Sequence, residues 1–377
     1  MIYSTFVKAD TTLYEGAPGT PDALMRWTNT GNDEILEVRK IVSSSATATT
    51  YLSRALLRFD IDWTKIDSGI AWTGAKAYLN LYTTEVSQLD DSKPIFTIRP
   101  LAESFNEGKG RENNKPQTTK GASWKYRTGE YNTGLNWTTS SYGANTTGSW
   151  EQSTHSGGGT WQIQNYADVS IEDETADLRA DVTDIATAWS SSTYTNKGFI
   201  VSLTSSQETD ANRYGSFKFF SKQTHTIYPP RLEIMWDDHT HTGTDTLSEL
   251  DMTDTESVFF YLKNNKGAYK RGSKIRFWCL GREKYPIKTH GTTSAEHAIR
   301  PLSGSSLHYT IKDAKTGETV IPYDTAYTKV SANASGNYFD IYSDSLFEER
   351  YYTVQLRYSK NTDLAYYDIK DKFKVVR

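Results

Sequence analysis

The segment Lys76-Ala-Tyr-Leu-Asn-Leu-Tyr-Thr83 carries the clearest structural pattern in the chain. Its aliphatic residues occupy alternate positions, namely Ala77, Leu79 and Leu81. The positions between them are aromatic or polar. A period of two residues indicates a β-strand with one buried and one more polar face.

The same alternation recurs on both sides of this segment. Ser53-Arg-Ala-Leu-Leu-Arg-Phe-Asp60 places Ala55, Leu57 and Phe59 on one face and Arg54 and Arg58 on the other. Further strands are predicted at 96–99, 198–204, 216–220, 231–236, 258–262, 274–280, 307–312, 351–358 and 366–376. Short strands between turn-rich segments predict an all-β chain of antiparallel sandwiches.

One segment has helical spacing instead. In residues 181–189 the apolar residues Val182, Ile185, Ala186 and Trp189 fall at i, i+3, i+4 and i+7. Asp181 stands where an N-cap residue would stand. We therefore expect one short helix, packed across an end of the N-terminal sandwich.

Composition excludes several classes of protein. The 377 residues include 13% aromatic side chains, which excludes a disordered chain. No apolar run reaches the roughly 20 residues needed to cross a bilayer, and the first residues lack a secretory signal pattern. Cys279 is the only cysteine, so neither an internal disulfide nor a cysteine-based zinc site is expected. A net charge of −4 gives no reason to expect nucleic acid as a partner.

A polar, turn-rich segment at 237–246 predicts a domain boundary. We expect a β-sandwich domain at 1–238, a linker at 239–246 and an immunoglobulin-like sandwich at 247–377. Charge divides unevenly across this segment. Residues 242–377 hold 20 Lys and Arg against 17 Asp and Glu, while residues 1–241 hold 22 against 29.

Between residues 106 and 166 the chain becomes rich in Gly, Ser, Thr and Asn, with interspersed rings. Long loops of this kind are commonly functional or interfacial. The rings predict either a carbohydrate or protein interface, or anchors that fix the loop to the sandwich. The predicted interface residues are Trp124, Tyr126, Tyr131, Trp137, Tyr142, Trp150 and Trp161.

The sequence lacks a recognisable catalytic motif. No pair of carboxylates is marked as having the unequal environments that general acid–base catalysis requires. The segment Asp237-Asp-His-Thr-His241 offers possible metal ligands, but a solvated linker is the favoured interpretation. His225 is predicted to be a buried structural residue. We therefore expect a non-enzymatic protein with no metal and no cofactor.

Several segments, in order, resemble the DNRLRE type of β-sandwich domain. They are Arg58-Phe-Asp60, Ala75-Lys-Ala-Tyr-Leu-Asn-Leu-Tyr82, Gly121-Ala-Ser-Trp-Lys-Tyr126, Asp181-Val-Thr-Asp-Ile185 and Gly198-Phe-Ile-Val201. The resemblance covers residues 1–238. Because such domains are often attached to carbohydrate-active proteins, the resemblance also implies a sugar-binding alternative.

A broader resemblance is to virion structural proteins of tailed bacteriophages, in particular marine T4-like ones. It is carried by Ala9-Asp-Thr-Thr-Leu-Tyr-Glu15, Gly31-Asn-Asp-Glu-Ile-Leu-Glu-Val38, residues 219–233 and Arg350-Tyr-Tyr-Thr-Val-Gln355. It implies a structural subunit of the tail, neck or capsid surface, assembled in the host cytoplasm and released by lysis. The implied partners are other virion proteins and further copies of the chain. The alternative is an adhesion module that binds a host-surface glycan.

Overall fold

The chain is all-β, as the computed structural model shows. The structure describes residues 1–16, 25–42, 50–66, 70–87, 93–112, 116–138, 146–148, 157–171, 176–242, 258–285, 307–360 and 363–377. These residues fall into two compact units. One contains residues 5–67 and 76–233, and the other contains residues 1–4, 68–75 and 234–377. We call them the N-terminal and the C-terminal sandwich.

In the first part of the chain the structure describes sixteen strands, ten more than the alternation predicted. They are β1 Ile2–Phe6, β2 Ala9–Tyr14, β3 Ile35–Val42, β4 Thr50–Arg58, β5 Lys76–Leu81, β6 Thr83–Ser87, β7 Ile95–Pro100, β8 Tyr126–Thr128, β9 Leu135–Asn136, β10 Thr146–Gly148, β11 Thr160–Gln162, β12 Ala167–Ser170, β13 Leu178–Asp181, β14 Phe199–Leu203, β15 Gly215–Phe220 and β16 Arg231–Met235. Two helices accompany them, α1 Thr183–Ser190 and α2 Ser205–Thr209.

Two sheets form the N-terminal sandwich. The smaller has the order β1-β16-β5-β13, and the larger has the order β12-β7-β14-β4-β3-β15-β6, with β2 paired to β4. Aliphatic positions of β5 and aromatic positions of the large sheet are fully buried. The ring of Phe96 meets the ring of Phe217 edge-on at 5.0 Å.

Helix α1 confirms the predicted helix and its buried face. Ile185, Ala186 and Trp189 are buried, and the Trp189 ring lies 4.7 Å from that of Phe199. The cap differs by one residue, because Val182 occupies the N-cap position. The Asp181 carboxylate still accepts the Thr183 N–H at 3.0 Å, so it satisfies one of the free amides of the first turn.

A further layer covers the second face of the large sheet. It is built from the described residues between 101 and 162, which we call the covering layer. A buried cluster joins the two: Ala9, Leu13, Leu52, Leu56, Leu101, Phe105, Ala122, Trp124, Trp137 and Ile200. Strand β4 is therefore buried on both faces, which its sequence pattern did not indicate.

Asn29 holds the covering layer in place. Its amide donates to the carbonyls of Glu107 and Ala122 at 2.7 and 2.8 Å, and its Oδ1 accepts the N–H of Gly110 at 2.8 Å. A Cβ at Gly108 would lie 2.2 Å from Asn29 Oδ1. Because the loop must pass this close, the position with φ +78° requires glycine.

The C-terminal sandwich contains the remaining strands. They are β17 Val258–Lys263, β18 Ala268–Lys270, β19 Lys274–Glu283, β20 Leu307–Asp313, β21 Thr319–Ile321, β22 Ser331–Asn333, β23 Gly336–Tyr342, β24 Tyr351–Lys360 and β25 Asp363–Val376. One sheet has the order β17-β19-β23-β22 and the other β18-β25-β24-β20-β21. The stacked rings of Tyr309 and Phe339, 4.2 Å apart, lie in its core.

The segment after β16 is hydrogen-bonded rather than extended into solvent. Thr240 O accepts the N–H of Ala332 at 3.0 Å, and Ala332 O accepts the N–H of Thr242 at 3.1 Å. Residues 243–246 of the predicted linker lie outside the described residues. The predicted boundaries of the two domains stay a prediction. In the described part of the chain, no helix is long and apolar enough to cross a membrane.

Candidate functional site

The structure places three of the predicted interface rings in the interior. Trp124 and Trp137 are 0% and 2% exposed, and Tyr126 is also buried. The Trp137 Nε1 donates to Ser123 O at 2.9 Å. These rings fill the space between the covering layer and the large sheet, so a ligand in solvent does not reach their faces.

The other predicted rings are divided between surface and undescribed segments. Tyr131 is 48% exposed, with its ring edge-on to Trp27 at 5.1 Å. Trp161 is half-buried. Tyr142 and Trp150 lie outside the residues whose side chains the structure describes. Arg99 lies next to Trp161, with its guanidinium 6.0 Å from the centroid of that ring. The sequence analysis did not single out Arg99.

Beneath Trp161 lies a buried ion pair. Arg54 is 1% exposed and Glu208 is 5% exposed. The guanidinium donates to both Glu208 oxygens at 3.0 and 2.6 Å, and to Gly158 O at 2.7 Å. It lies between the rings of Trp124 and Trp161, 4.8 and 5.2 Å from their centroids. The Arg54 guanidinium thus makes its hydrogen bonds inside the protein. These bonds fix the covering layer to β4 and α2.

A second buried cation is held by the same helical turn. Lys40, which is 0% exposed, donates to Gln207 O, Asp210 O and Asp210 Oδ1 at 2.5 to 2.6 Å. Although burial opposes it, the hydrogen bond from Lys40 lowers the pKa of Asp210. Glu208 and Asp210, in and directly after α2, thus neutralise two cations of the large sheet, Arg54 and Lys40.

An acidic cavity of about 440 Å³ opens in the N-terminal sandwich. Its lining residues are Tyr14, Asp33, Glu34, Ile35, Glu37, Thr84, Glu85, Glu112 and Lys218. Lys218 is bound to Glu85 at 2.8 Å. Five carboxylates against one lysine make this cavity the most acidic feature we describe.

Two of these carboxyls have unequal environments, which the sequence could not reveal. Glu37 accepts from the Ser216 hydroxyl and from Arg39. Burial, and then the charge of Glu37, raise the pKa of Glu112. Because Glu37 and Glu112 are 75 positions apart, only the folding of the covering layer brings them together.

Asp10 is a further buried carboxyl, 1% exposed, at the start of β2. Its Oδ2 accepts the N–H of Lys222 at 2.6 Å, while Lys222 Nζ binds Glu107 at 2.8 Å. Burial, and to a smaller degree the charge of Glu107, raise the pKa of Asp10 to about 7. The folded chain therefore binds this proton more tightly than the unfolded chain does.

This shift predicts a pH dependence of stability. The free energy of unfolding should fall as the pH rises from about 4 to about 7, since the native state holds more protons there. Asp10→Asn should reduce this slope and raise the free energy of unfolding at pH 8 by up to about 4 kcal/mol, because the pKa is raised by about three units and each unit is worth about 1.4 kcal/mol. Urea titrations at pH 4 and pH 8 measure both quantities.

The matched control is Asp62→Asn. Asp62 is exposed, and the hydroxyl of Thr64 lowers the pKa of its carboxyl, so its contribution changes only below pH 4. Its profile between pH 4 and pH 8 should match that of the wild-type chain. A lower free energy of unfolding for Asp10→Asn than for the wild-type chain at pH 8 would contradict the raised pKa assigned to Asp10.

The histidine predictions have different outcomes. The prediction for His225 was wrong, since its side chain is 89% exposed and lies 3.9 Å from Glu34. Asp237 of the considered metal segment is bound to Lys329 at 2.7 Å. Within the described ranges, no group of three His, Cys, Asp or Glu side chains could hold a metal ion.

The C-terminal sandwich carries rings on the outside of its four-stranded sheet. We call this the outer aromatic face, formed by Phe259, Tyr261, Trp278 and Tyr338. Phe259 is 44% exposed, with the guanidinium of Arg282 4.8 Å from its centroid. Tyr338 lies 5.3 Å from Trp278 and carries Arg276 at 4.2 Å. The alternation of buried and exposed positions along these strands would have been enough to predict this face from the sequence.

Comparison with known proteins gives no family. No protein-family profile and no curated protein matches the chain. A DUF4785 family protein from Legionella pneumophila is similar at 6% identity and a TM-score of 0.17, over 100% of this chain and 62% of that one. The β-glucuronidase of Parabacteroides merdae is similar at 8% identity and a TM-score of 0.19, over 98% and 35%. The chain thus spans less than two thirds of either structure, and neither similarity supports a function.

Proposed function

We propose that the protein is a non-enzymatic structural subunit of a tailed-bacteriophage virion. The observation that carries the proposal is the ordered set of segments resembling such proteins. In this chain those segments supply strand β2, the first half of β3, the end of β15 with the start of β16, and the start of β24. They therefore lie in strands of both sandwiches.

The outer aromatic face is the surface we assign to assembly. Tyr, Trp and Arg are enriched where protein interfaces hold most of their binding energy. The cations on this side of the sheet are Lys263, Lys274, Arg276 and Arg282, and Asp340 binds two of them, Lys274 and Arg276. The occupant we assign is a second copy of the chain, which carries the oppositely charged acidic cavity. Contacts between unlike surfaces of identical subunits build rings or filaments.

The proposal predicts the composition of particles. Mass spectrometry of washed particles should find the chain at the copy number of a structural protein. In a complementation experiment Phe259→Asp should not be incorporated, because a carboxylate replaces a ring in the contact. The purified variant should be a monomer by light scattering, whereas the wild-type chain should be an oligomer.

Tyr351→Ala serves as the control, since Tyr351 is 53% exposed but lies on the other sheet. It should assemble as the wild-type chain does. Absence of the wild-type chain from washed particles would overturn the virion assignment. Incorporation of Phe259→Asp at the wild-type level would overturn the assigned surface.

A further inference from the structure

A cavity of about 570 Å³ opens in the C-terminal sandwich, on the sheet opposite the outer aromatic face. Its lining residues are Asp313, Ala314, Lys315, Glu349, Arg350, Tyr351 and Lys372. They come from the end of β20, the start of β24 and the middle of β25. This volume suits a small ligand or one unit of a polymer.

One wall of the cavity is rigid. Arg350 binds Asp313 Oδ2 through Nε at 2.7 Å and through its terminal nitrogen at 2.6 Å. Asp313 Oδ1 accepts the backbone N–H groups of Lys315 and Thr316, both at 2.9 Å. These bonds lower the pKa of Asp313 against the effect of burial, so the pair stays ionised. Arg350 and Asp313 position the wall, and Asp313 takes up the Nε edge of the guanidinium.

The exposed side chains that line the cavity are of three kinds. Lys315 and Lys372 are exposed cations, and Tyr351 presents a ring that is 53% exposed. Glu349 adds a carboxylate, 60% exposed and 3.3 Å from Lys374. Its backbone has φ +59°, a conformation unusual for a residue larger than glycine.

We propose that this cavity binds a carboxylate- or sulfate-bearing sugar residue. The two lysines bind the anionic group, and the Tyr351 ring packs against the C–H face of the pyranose. Glu349 accepts hydrogen bonds from hydroxyl groups. A simple inorganic anion would leave the Tyr351 ring and Glu349 unused, and a neutral sugar would leave the lysines unused. The Nε edge of the Arg350 guanidinium is already occupied by Asp313.

The inference does not rest on the virion assignment, and it is tested separately. Isothermal titration of the full-length chain uses four probes: trigalacturonic acid, a heparin-derived hexasaccharide, maltohexaose and sodium sulfate. We expect one of the two acidic saccharides to bind with a Kd of about 1 mM or tighter. The preferred one identifies the anion as carboxylate or sulfate. Binding should weaken as NaCl rises from about 50 to about 300 mM.

Two variants test the site itself. Tyr351→Ala should weaken binding about tenfold, the ratio that 1.4 kcal/mol represents. The double variant Lys315→Glu/Lys372→Glu should abolish it. Both change exposed side chains, so their thermal midpoints should stay near that of the wild-type chain. The matched controls are Tyr366→Ala, whose ring is 57% exposed outside the cavity, and Lys266→Glu/Lys270→Glu, which changes two exposed lysines that do not line it.

Three outcomes would overturn the inference. The first is the absence of binding by both acidic saccharides at millimolar concentration. The second is equal binding of maltohexaose or sodium sulfate, which would exclude an acidic sugar as the preferred ligand. The third is unchanged affinity in both cavity variants, or an equal loss in the control variants.

Discussion

Arg54→Met is expected to lower the free energy of unfolding of the N-terminal sandwich by about 3–5 kcal/mol. The substitution leaves Glu208 buried without the guanidinium that binds both of its oxygens. It also removes the cation that lowers the pKa of Glu15, which burial raises to about 8. Urea denaturation at neutral pH measures the loss.

The double variant Arg54→Met/Glu208→Leu should recover much of this loss, because no buried charge then remains unpaired. The control pair is Lys120 and Glu130, 3.2 Å apart with side chains 73% and 54% exposed. Lys120→Met should change the free energy of unfolding by less than about 1 kcal/mol. A similarly small effect of Arg54→Met would show that Glu208 is solvated.

Trp124→Ala is expected to destabilise the N-terminal sandwich by about 3–5 kcal/mol, as large-to-small changes in a packed core do. The indole is 0% exposed and covers one side of Arg54. Its removal opens a cavity between the covering layer and β4. Hydrogen exchange of the covering layer should increase together with the loss measured in urea.

Tyr131→Ala is the control for Trp124→Ala, because Tyr131 lies in the same layer but is 48% exposed. It should cost less than about 1 kcal/mol. An equal cost for both would contradict the anchoring role of Trp124. The contrast also matters for any sugar-binding test, since lost binding in Trp124→Ala would report unfolding. Tyr131 and Trp161 are the rings of this layer to substitute in such a test.

Much of the fold could be predicted because local patterns carry it. The alternation at 76–83 reappears as β5, and the spacing at 181–189 reappears as α1. The strands predicted at 198–204 and 274–280 reappear as β14 and β19. Each pattern arises because a strand or helix buries one face and exposes the other. A few residues are enough to show this periodicity.

The candidate sites were less predictable, because they join distant segments. Alternation put Arg54 on the polar face of its strand, yet that face is buried under Trp124 and Trp161. The partner of Arg54 is Glu208, which is 154 positions away. The cavity beside Tyr351 likewise combines three separate strands.

By itself, the sequence determined the fold class, the positions of helix α1 and of the strands with clear alternation, and the supply of aromatic and charged side chains. Only the tertiary structure decided which rings became core and which carboxyls acquired raised pKa values. The reason is physical: periodicity reports one buried face, whereas the second face of β4 depends on what else folds onto it. A side chain's burial, and with it the cost of its charge, is set by neighbours that are remote in the chain.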